Sequence, residues 1–434
     1  MDVKVQRSLV VPAPPSQPSE EVPFTVFDLV APPYYVTALF AFTAPNPSNA
    51  ALLDALAATL PRFPRLTARL VDRRDASPAG RARPFFVTGS GGAGALVVEA
   101  EVATPLADHL PLAPSPCLAR LHAPLDDASA TSPHLLLVQI NRFACGALVV
   151  ASSAHHQAAD GYSMSTFFRA WVDAVRSPPQ QPGRPVPYGP GALVPRRPPR
   201  CEFEHRGAQF RSMSKKDDAS GHPPDQPVLR VAPSEIANLT LHYTREFVRK
   251  ITAARLRGAD ADASDSSTRR PTSLNVSVNG RARLGPDTVP RGFFGNLVLT
   301  ARTDKAAGAG PTTAGDLVRG TLADAAAKSF IDFGALHLHG GDGEEELEPN
   351  VGDEDYLLLP DVAADSWLHL ELHKLDFGRG GRLVGVLPGT VPLDGVIVLM
   401  PGLHEEGGVD VFVALYHKHA EELRKIAYTM DWAT

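Results

Sequence analysis

The chain has 434 residues, 44% hydrophobic and 21% charged, with a formal net charge of −6. That length exceeds what one compact core serves and predicts two domains of similar size, and the composition excludes a disordered chain. The acidic balance, with no Lys/Arg-rich run, argues against nucleic-acid or anionic-membrane partners, and no uninterrupted apolar stretch is long enough to predict a membrane span.

Met1 to Arg7 lacks the apolar core of a secretory signal. Cys117, Cys145 and Cys201 are scattered, with neither metal-binding nor disulfide spacing, which predicts reduced thiols in a cytoplasmic protein. Val3 to Val11 is rich in β-branched residues and reads as a strand, ended by Pro12, Pro14, Pro15 and Pro18. Tyr34 to Phe42 reads as a buried strand. Asn49 to Leu60 places Leu52, Leu53, Leu56 and Leu60 at helical spacing, with Ser48 or Asn49 as cap and Pro61 as stop.

The clearest hairpin runs from Leu135 to Phe143, turns at Ala144-Cys145-Gly146, and returns from Ala147 to Ser153. Apolar residues on both faces predict strands buried within a domain. The chain then reads His155-His156-Gln157-Ala158-Ala159-Asp160-Gly161, followed by an amphipathic helix over Ser163 to Arg176 with Phe167, Trp171 and Val175 on one side. A histidine pair thus leaves a buried strand just before a helix, a rigid platform for a reactive group.

Nine of the residues from Pro178 to Pro199 are proline, which bars both helix and central strand. This predicts a crossover linker over 178–227, between an N-terminal domain at 1–177 and a C-terminal domain at 228–434. In the second half, strands are expected at Leu274 to Val278, Leu297 to Thr300, Val396 to Met400 and Val409 to Leu415. Helices are expected over Thr313 to Phe333 and Lys418 to Ala427, with an acidic Gly-rich loop from Gly340 to Glu348. No internal repeat is visible, although two similar sheet-plus-helix halves remain open.

Of the histidine pair, His156 suits a general base, because imidazole accepts a proton near neutral pH. Strand alternation turns His155 to the opposite face, where a structural role fits it. Asp160 can orient His156 directly or hold the turn by pairing with an arginine. The second is favoured, since three intervening residues tend to point the carboxylate away from the ring; Arg281 and Arg283 are the candidate partners. A metal site fails on ligand count, because adjacent strand histidines diverge. His337 and His339 beside Glu344 to Glu346 read as a solvated loop. No GxSxG elbow, Walker-type phosphate loop or local cysteine–histidine signature is present. Direct transfer assisted by a base remains.

These residues resemble the plant HxxxD-type (BAHD) acyltransferases. The HHxxxDG string, Arg281 to Leu284, Phe293-Phe294-Gly295-Asn296 and Asp376-Phe377-Gly378-Arg379-Gly380, similar to that family's DFGWG, carry the likeness over nearly the whole chain. Within the family the chain looks most like the agmatine coumaroyltransferase branch, through Arg142 to Gly146, Glu202 to Gly207, Ser329 to Phe333 and Asp365-Ser366-Trp367. The resemblance implies a mixed α/β fold of two chloramphenicol-acetyltransferase-like domains around a channel. His156 would be the catalytic base, with Asp160 and Gly161 in the motif turn and Arg281 as structural partner. Asp376, Phe377 and Gly378 would form a structural turn remote from the base. It also implies a monomer that takes an acyl-CoA as substrate, without cofactor or metal, and a small amine or alcohol acceptor. Asp365, Ser366 and Trp367 would bind the acceptor; a cationic amine needs an anion, which Asp365, Asp361, Glu371 or Asp355 could supply.

Two departures from the family stand out. Arg379 replaces the usual Trp, and Arg255 to Thr272 is a Gly/Ala/Asp/Ser-rich run where relatives carry a segment resembling STF-x-x-L-x-A-H-x-W. Three readings follow: an N-acyltransferase moving a hydroxycinnamoyl-type group to an amine, an O-acyltransferase, or a homologue that binds acyl-CoA without turnover because that segment is missing. A condensation-type enzyme fed by a carrier protein is disfavoured by a chain without carrier or adenylation modules.

Overall fold

A computed structural model describes residues 1–71, 83–124, 132–181, 183–203, 205, 210–212, 232–258, 274–303, 322–338, 347–349, 362–403 and 406–429. Two six-stranded sheets organise them. The first is ordered Val3–Val11, Ala95–Val102, Leu136–Phe143, Leu148–His155, Tyr35–Phe42 and Leu383–Pro388. All its pairs are antiparallel except Ala95–Val102 beside Leu136–Phe143. The second is ordered Ile236–Tyr243, Val409–Tyr416, Val396–Pro401, Val362–Ser366, Leu274–Asn279 and Val298–Thr303, and its Val362–Ser366 strand runs parallel to both neighbours.

The expected hairpin forms around Gly146, whose φ of 79° is left-handed backbone that an unbranched glycine accepts without strain. All eight residues of Leu148–His155 are buried, because apolar layers cover both faces. One layer holds Leu136, Val138, Leu148 and Val150 against helices Asn49–Thr59 and Gly161–Arg176. The other holds Phe143, Val149 and Ala151 against Leu106, Leu118 and Leu121. Trp171 locks the two helices together by donating its indole N–H to the Leu52 carbonyl at 2.9 Å. Ser48 caps the first helix by accepting from the Ala51 amide at 3.2 Å.

Several expectations shift. The long helix starts at Gly161, two residues ahead of the expected Ser163, because Asp160 caps it. The strand Leu383–Pro388 lies beyond the expected boundary at 228 yet pairs with Tyr35–Phe42, so no single cut in the sequence separates the two sheets. Within the expected irregular linker, Phe210–Ser212 forms a short strand with Leu347–Pro349, which takes the end of the expected acidic loop into a sheet. The linker is fastened to both halves: Val186 N–H donates to Arg62 O at 2.9 Å, and Pro187 O accepts from Phe294 N–H at 2.8 Å. The later helix is described over Leu322–His337, and the final helix is His417–Ile426. A helix Arg245–Gly258 covers the start of the divergent run, whose remainder lies outside the described residues. No helix among the described residues is long and apolar enough to cross a membrane.

Candidate active site

His155 ends its strand opposite Tyr35, and His156 is the first residue beyond it. The two rings meet different surroundings. His155 is 4% exposed and packs edge-on against Tyr35 at 5.2 Å; burial, reinforced by the neighbouring His156, pushes its pKa down to about 4. It therefore stays neutral, as a structural residue should. His156 is only half-buried. Its Nδ1 is buried and receives no hydrogen bond among the described residues, which leaves Nε2 as the accessible nitrogen.

Asp160 does not serve His156. Its Oδ2 accepts from Arg281 Nη1 at 2.7 Å and from the Leu297 amide at 2.9 Å, and its Oδ1 accepts from the Ser163 amide at 2.9 Å. Burial alone would raise its pKa; the Arg281 charge and hydrogen bond, with the Ser163 and Leu297 amides, outweigh that and hold it below the ordinary carboxylate value. Of the two candidate arginines, Arg281 makes the pair, with side chains 11% and 1% exposed for Arg281 and Asp160. Arg281 also donates from Nη2 to Ser163 Oγ at 2.9 Å and to Gly295 O at 2.8 Å, and stands over the Tyr162 ring at 4.9 Å. The ion pair thus sews the motif turn to the C-terminal half. Gly161 has ordinary negative φ; a Cβ there would come within 3.2 Å of Leu370 Cδ1, so its smallness admits the segment after Trp367.

Asp365 is half-buried, Ser366 exposed, and both end the Val362–Ser366 strand. Trp367 follows, with its amide on Leu399 O at 2.8 Å and its side chain packed between the cores of the two sheets. Glu371 is no free acceptor anion: Arg169 Nη1 lies at 2.8 Å and Lys374 Nζ at 2.5 Å. Asp355 and Asp361 lie outside the described residues, as do His339 and Glu344 to Glu346. His337 packs against Phe333 at 4.7 Å. Among the described residues no His/Cys/Asp/Glu group could hold a metal ion.

The DFGRG stretch lies at the far end of the long helix. Phe377 packs edge-on against Trp171 at 5.4 Å and Phe42 at 5.2 Å, and Asp376 Oδ2 is 4.0 Å from Arg176. Fifteen helical steps, roughly 22 Å at 1.5 Å each, separate Arg176 from Gly161 in the motif turn. Asp376 accepts from the Gly378 amide at 2.7 Å, and Gly378, Arg379 and Gly380 follow with φ of 81°, 68° and 92°. Asp376, Phe377 and Gly378 are turn and core residues at a distance from His156.

Two residues near His156, Arg65 and Asp28, escape sequence reasoning altogether, and Asn296 enters it only as part of a family-like stretch with no role. Arg65 and Asp28 form an ion pair at 2.8 Å with both side chains 0% exposed, and Asn296 Nδ2 donates to the carbonyls of His156 and Gln157, each at 2.9 Å. Two stretches that carried the branch likeness meet elsewhere: Ser329 Oγ accepts from the Glu202 amide at 3.1 Å and contacts His205 Nε2 at 2.9 Å, while buried Asp332 accepts from Arg196 Nε at 2.6 Å and the Arg200 amide at 2.8 Å.

Two mixed sheets with a half-exposed histidine at a strand exit share the fold of acyltransferases of the chloramphenicol-acetyltransferase-like architecture. The chain belongs to the Transferase family, the HxxxD-type (BAHD) acyltransferases, whose pattern matches residues 1–430. It is 35% identical to tryptamine hydroxycinnamoyltransferase 2 of Oryza sativa subsp. japonica, over 94% of this chain and 93% of that one. It is 31% identical to agmatine hydroxycinnamoyltransferase 1 of the same plant, over 95% and 94%. The crystal structure of vinorine synthase shares the fold with a TM-score of 0.61 at 16% identity, covering 97% of this chain and 96% of that one.

Proposed function

We propose that this protein transfers a hydroxycinnamoyl-type group from a CoA thioester to an amine, with His156 as general base. The observation that carries the reading is the division of labour in the motif: Arg281 takes up Asp160, while the His156 ring stays half-exposed and without a hydrogen bond among the described residues. In this reading the amine nitrogen attacks the thioester carbon as its proton passes to His156 Nε2. The tetrahedral intermediate then collapses to amide, the C–S bond breaks, and the CoA thiolate leaves and regains a proton. No acyl-enzyme forms, and acyl-CoA is a substrate, so no cofactor is required. The relatives act, by their names, on tryptamine and agmatine, which supports an amine acceptor. Asp365 is proposed to line the acceptor site, beside Ser366 and Trp367, and to favour a cation. We read it as a monomer in the cytoplasm, the compartment being supported by three exposed cysteines that form no disulfide among the described residues.

The test is a panel of CoA thioesters against tryptamine, agmatine, putrescine and neutral alcohols. Amide products support the proposal. Ester products alone would shift it to O-acylation, and thioester binding by calorimetry without any product would shift it to a non-catalytic homologue. If Asp365→Asn leaves the preference for agmatine over a neutral alcohol unchanged, the acceptor role of Asp365 is abandoned.

A further inference from the structure

The turn that carries His156 is held from its other side by a second buried charge pair, distinct from Asp160 and Arg281. Asp28 sits in the short helix Val26–Leu29, where its Oδ2 accepts from the Thr25 amide at 2.9 Å in a capping box that fixes the carboxylate. Its Oδ1 faces Arg65 Nη2 at 2.8 Å and Asn296 Nδ2 at 3.0 Å. The same two donor nitrogens reach past Asp28 to the motif backbone. Arg65 Nη2 donates to Gln157 O at 2.8 Å, and Asn296 Nδ2 to the carbonyls of His156 and Gln157.

Stability alone accounts poorly for this arrangement. Arg65 is completely buried, and its Nε and Nη1 have no hydrogen-bond partner among the described residues. Apolar side chains of similar volume would fill such a place at lower cost than a charge pair. The surroundings are nonetheless shaped for the guanidinium, which lies over the Phe86 ring at 4.4 Å. A Cβ on Gly295 would stand 2.3 Å from its Nη1. What the pair and Asn296 accomplish together is to fix the two carbonyls that follow the catalytic Cα, and with them the direction in which the His156 ring leaves the chain.

We propose that Arg65, Asp28 and Asn296 are positioning residues that set the His156 imidazole in its productive orientation by clamping the carbonyls of residues 156 and 157. This rests on the reading of His156 as the base. The test is a double-mutant cycle with full-length protein. Arg65→Met with Asp28→Asn removes both charges together, so no lone charge is left buried; Asn296→Ala removes the neutral donor and serves if the paired variant does not fold. Each is measured for melting temperature, kcat and KM, alone and combined with His156→Ala. The expected result is a kcat lowered roughly 10- to 100-fold, as for a base displaced by about an ångström, with KM for both substrates within about twofold. In the His156→Ala background the same changes should lower the residual rate by less than about twofold, a non-additivity that general destabilisation would not produce. A folded clamp variant with unchanged kcat, or with an equal loss in both backgrounds, overturns the positioning role. If His156→Ala alone leaves the rate intact, the underlying assignment of the base fails instead.

Discussion

Replacing Arg281 with Met removes the cation that, among the described residues, pairs with Asp160, while keeping the length of the side chain. Asp160 is 1% exposed, so its carboxylate would be left charged in the interior with only two backbone amides for support. Breaking a buried pair in this way costs about 3–5 kcal/mol. The pH dependence identifies the cause. In the native protein Asp160 has a depressed pKa, so its stabilising contribution is present above the unfolded value of about 3.9 and is lost as pH falls through the folded value. In Arg281→Met the sign reverses: burial now raises the folded pKa above the unfolded one, and the penalty grows by about 1.4 kcal/mol per pH unit between the two. Urea unfolding of both proteins at pH 5 and pH 8 should therefore show a difference that is larger at pH 8. An equal difference at both pH values would refute the assignment of the penalty to an uncompensated carboxylate. Arg281→Lys keeps the charge but not the fork that also reaches Ser163 and Gly295, and should fall between the two proteins.

Further outcomes follow from single contacts. His155→Gln should flatten acid sensitivity: with the His155 pKa near 4, native stability falls as pH drops from about 6.5 toward 4, and urea midpoints across that window should lose this slope in the variant. Gly295→Ala meets both a φ of +147° and Arg65, and should destabilise by more than about 2 kcal/mol, whereas Gly161→Ala should cost less than about 1 kcal/mol by thermal denaturation. Phe377→Ala should lose about 3–5 kcal/mol of stability through its two aromatic contacts. Asp376→Ala, at an exposed turn, should lose about 1 kcal/mol and leave KM for both substrates unchanged by steady-state kinetics.

The features legible in the sequence are those written in local pattern. The hairpin ending at His155 was readable because two apolar runs flank a glycine turn, and the Asp160–arginine pairing because three residues do not bring a carboxylate back to a strand-end ring. Leu383–Pro388 was not readable: it contains Gly385, ends in proline and shifts register between Leu383 and Gly385, marks of an edge strand rather than a core one. Val362–Ser366 is a short strand whose Asp and Ser hide its place between two parallel neighbours. Arg65 and Asp28 escaped for a different reason. Among 42 basic residues, a sequence does not show which one is buried, since that depends on segments 37 and 231 positions away coming to the same turn.

In the proposed reaction the imidazole at position 156 takes the acceptor's proton. The most direct test is the steady-state rate of amide formation by His156→Ala, with folding verified by its melting curve and substrate binding by calorimetry. A loss of about 10²- to 10⁴-fold in kcat with thioester affinity retained is the predicted result. A folded variant that forms amide at the unmodified rate would contradict the account.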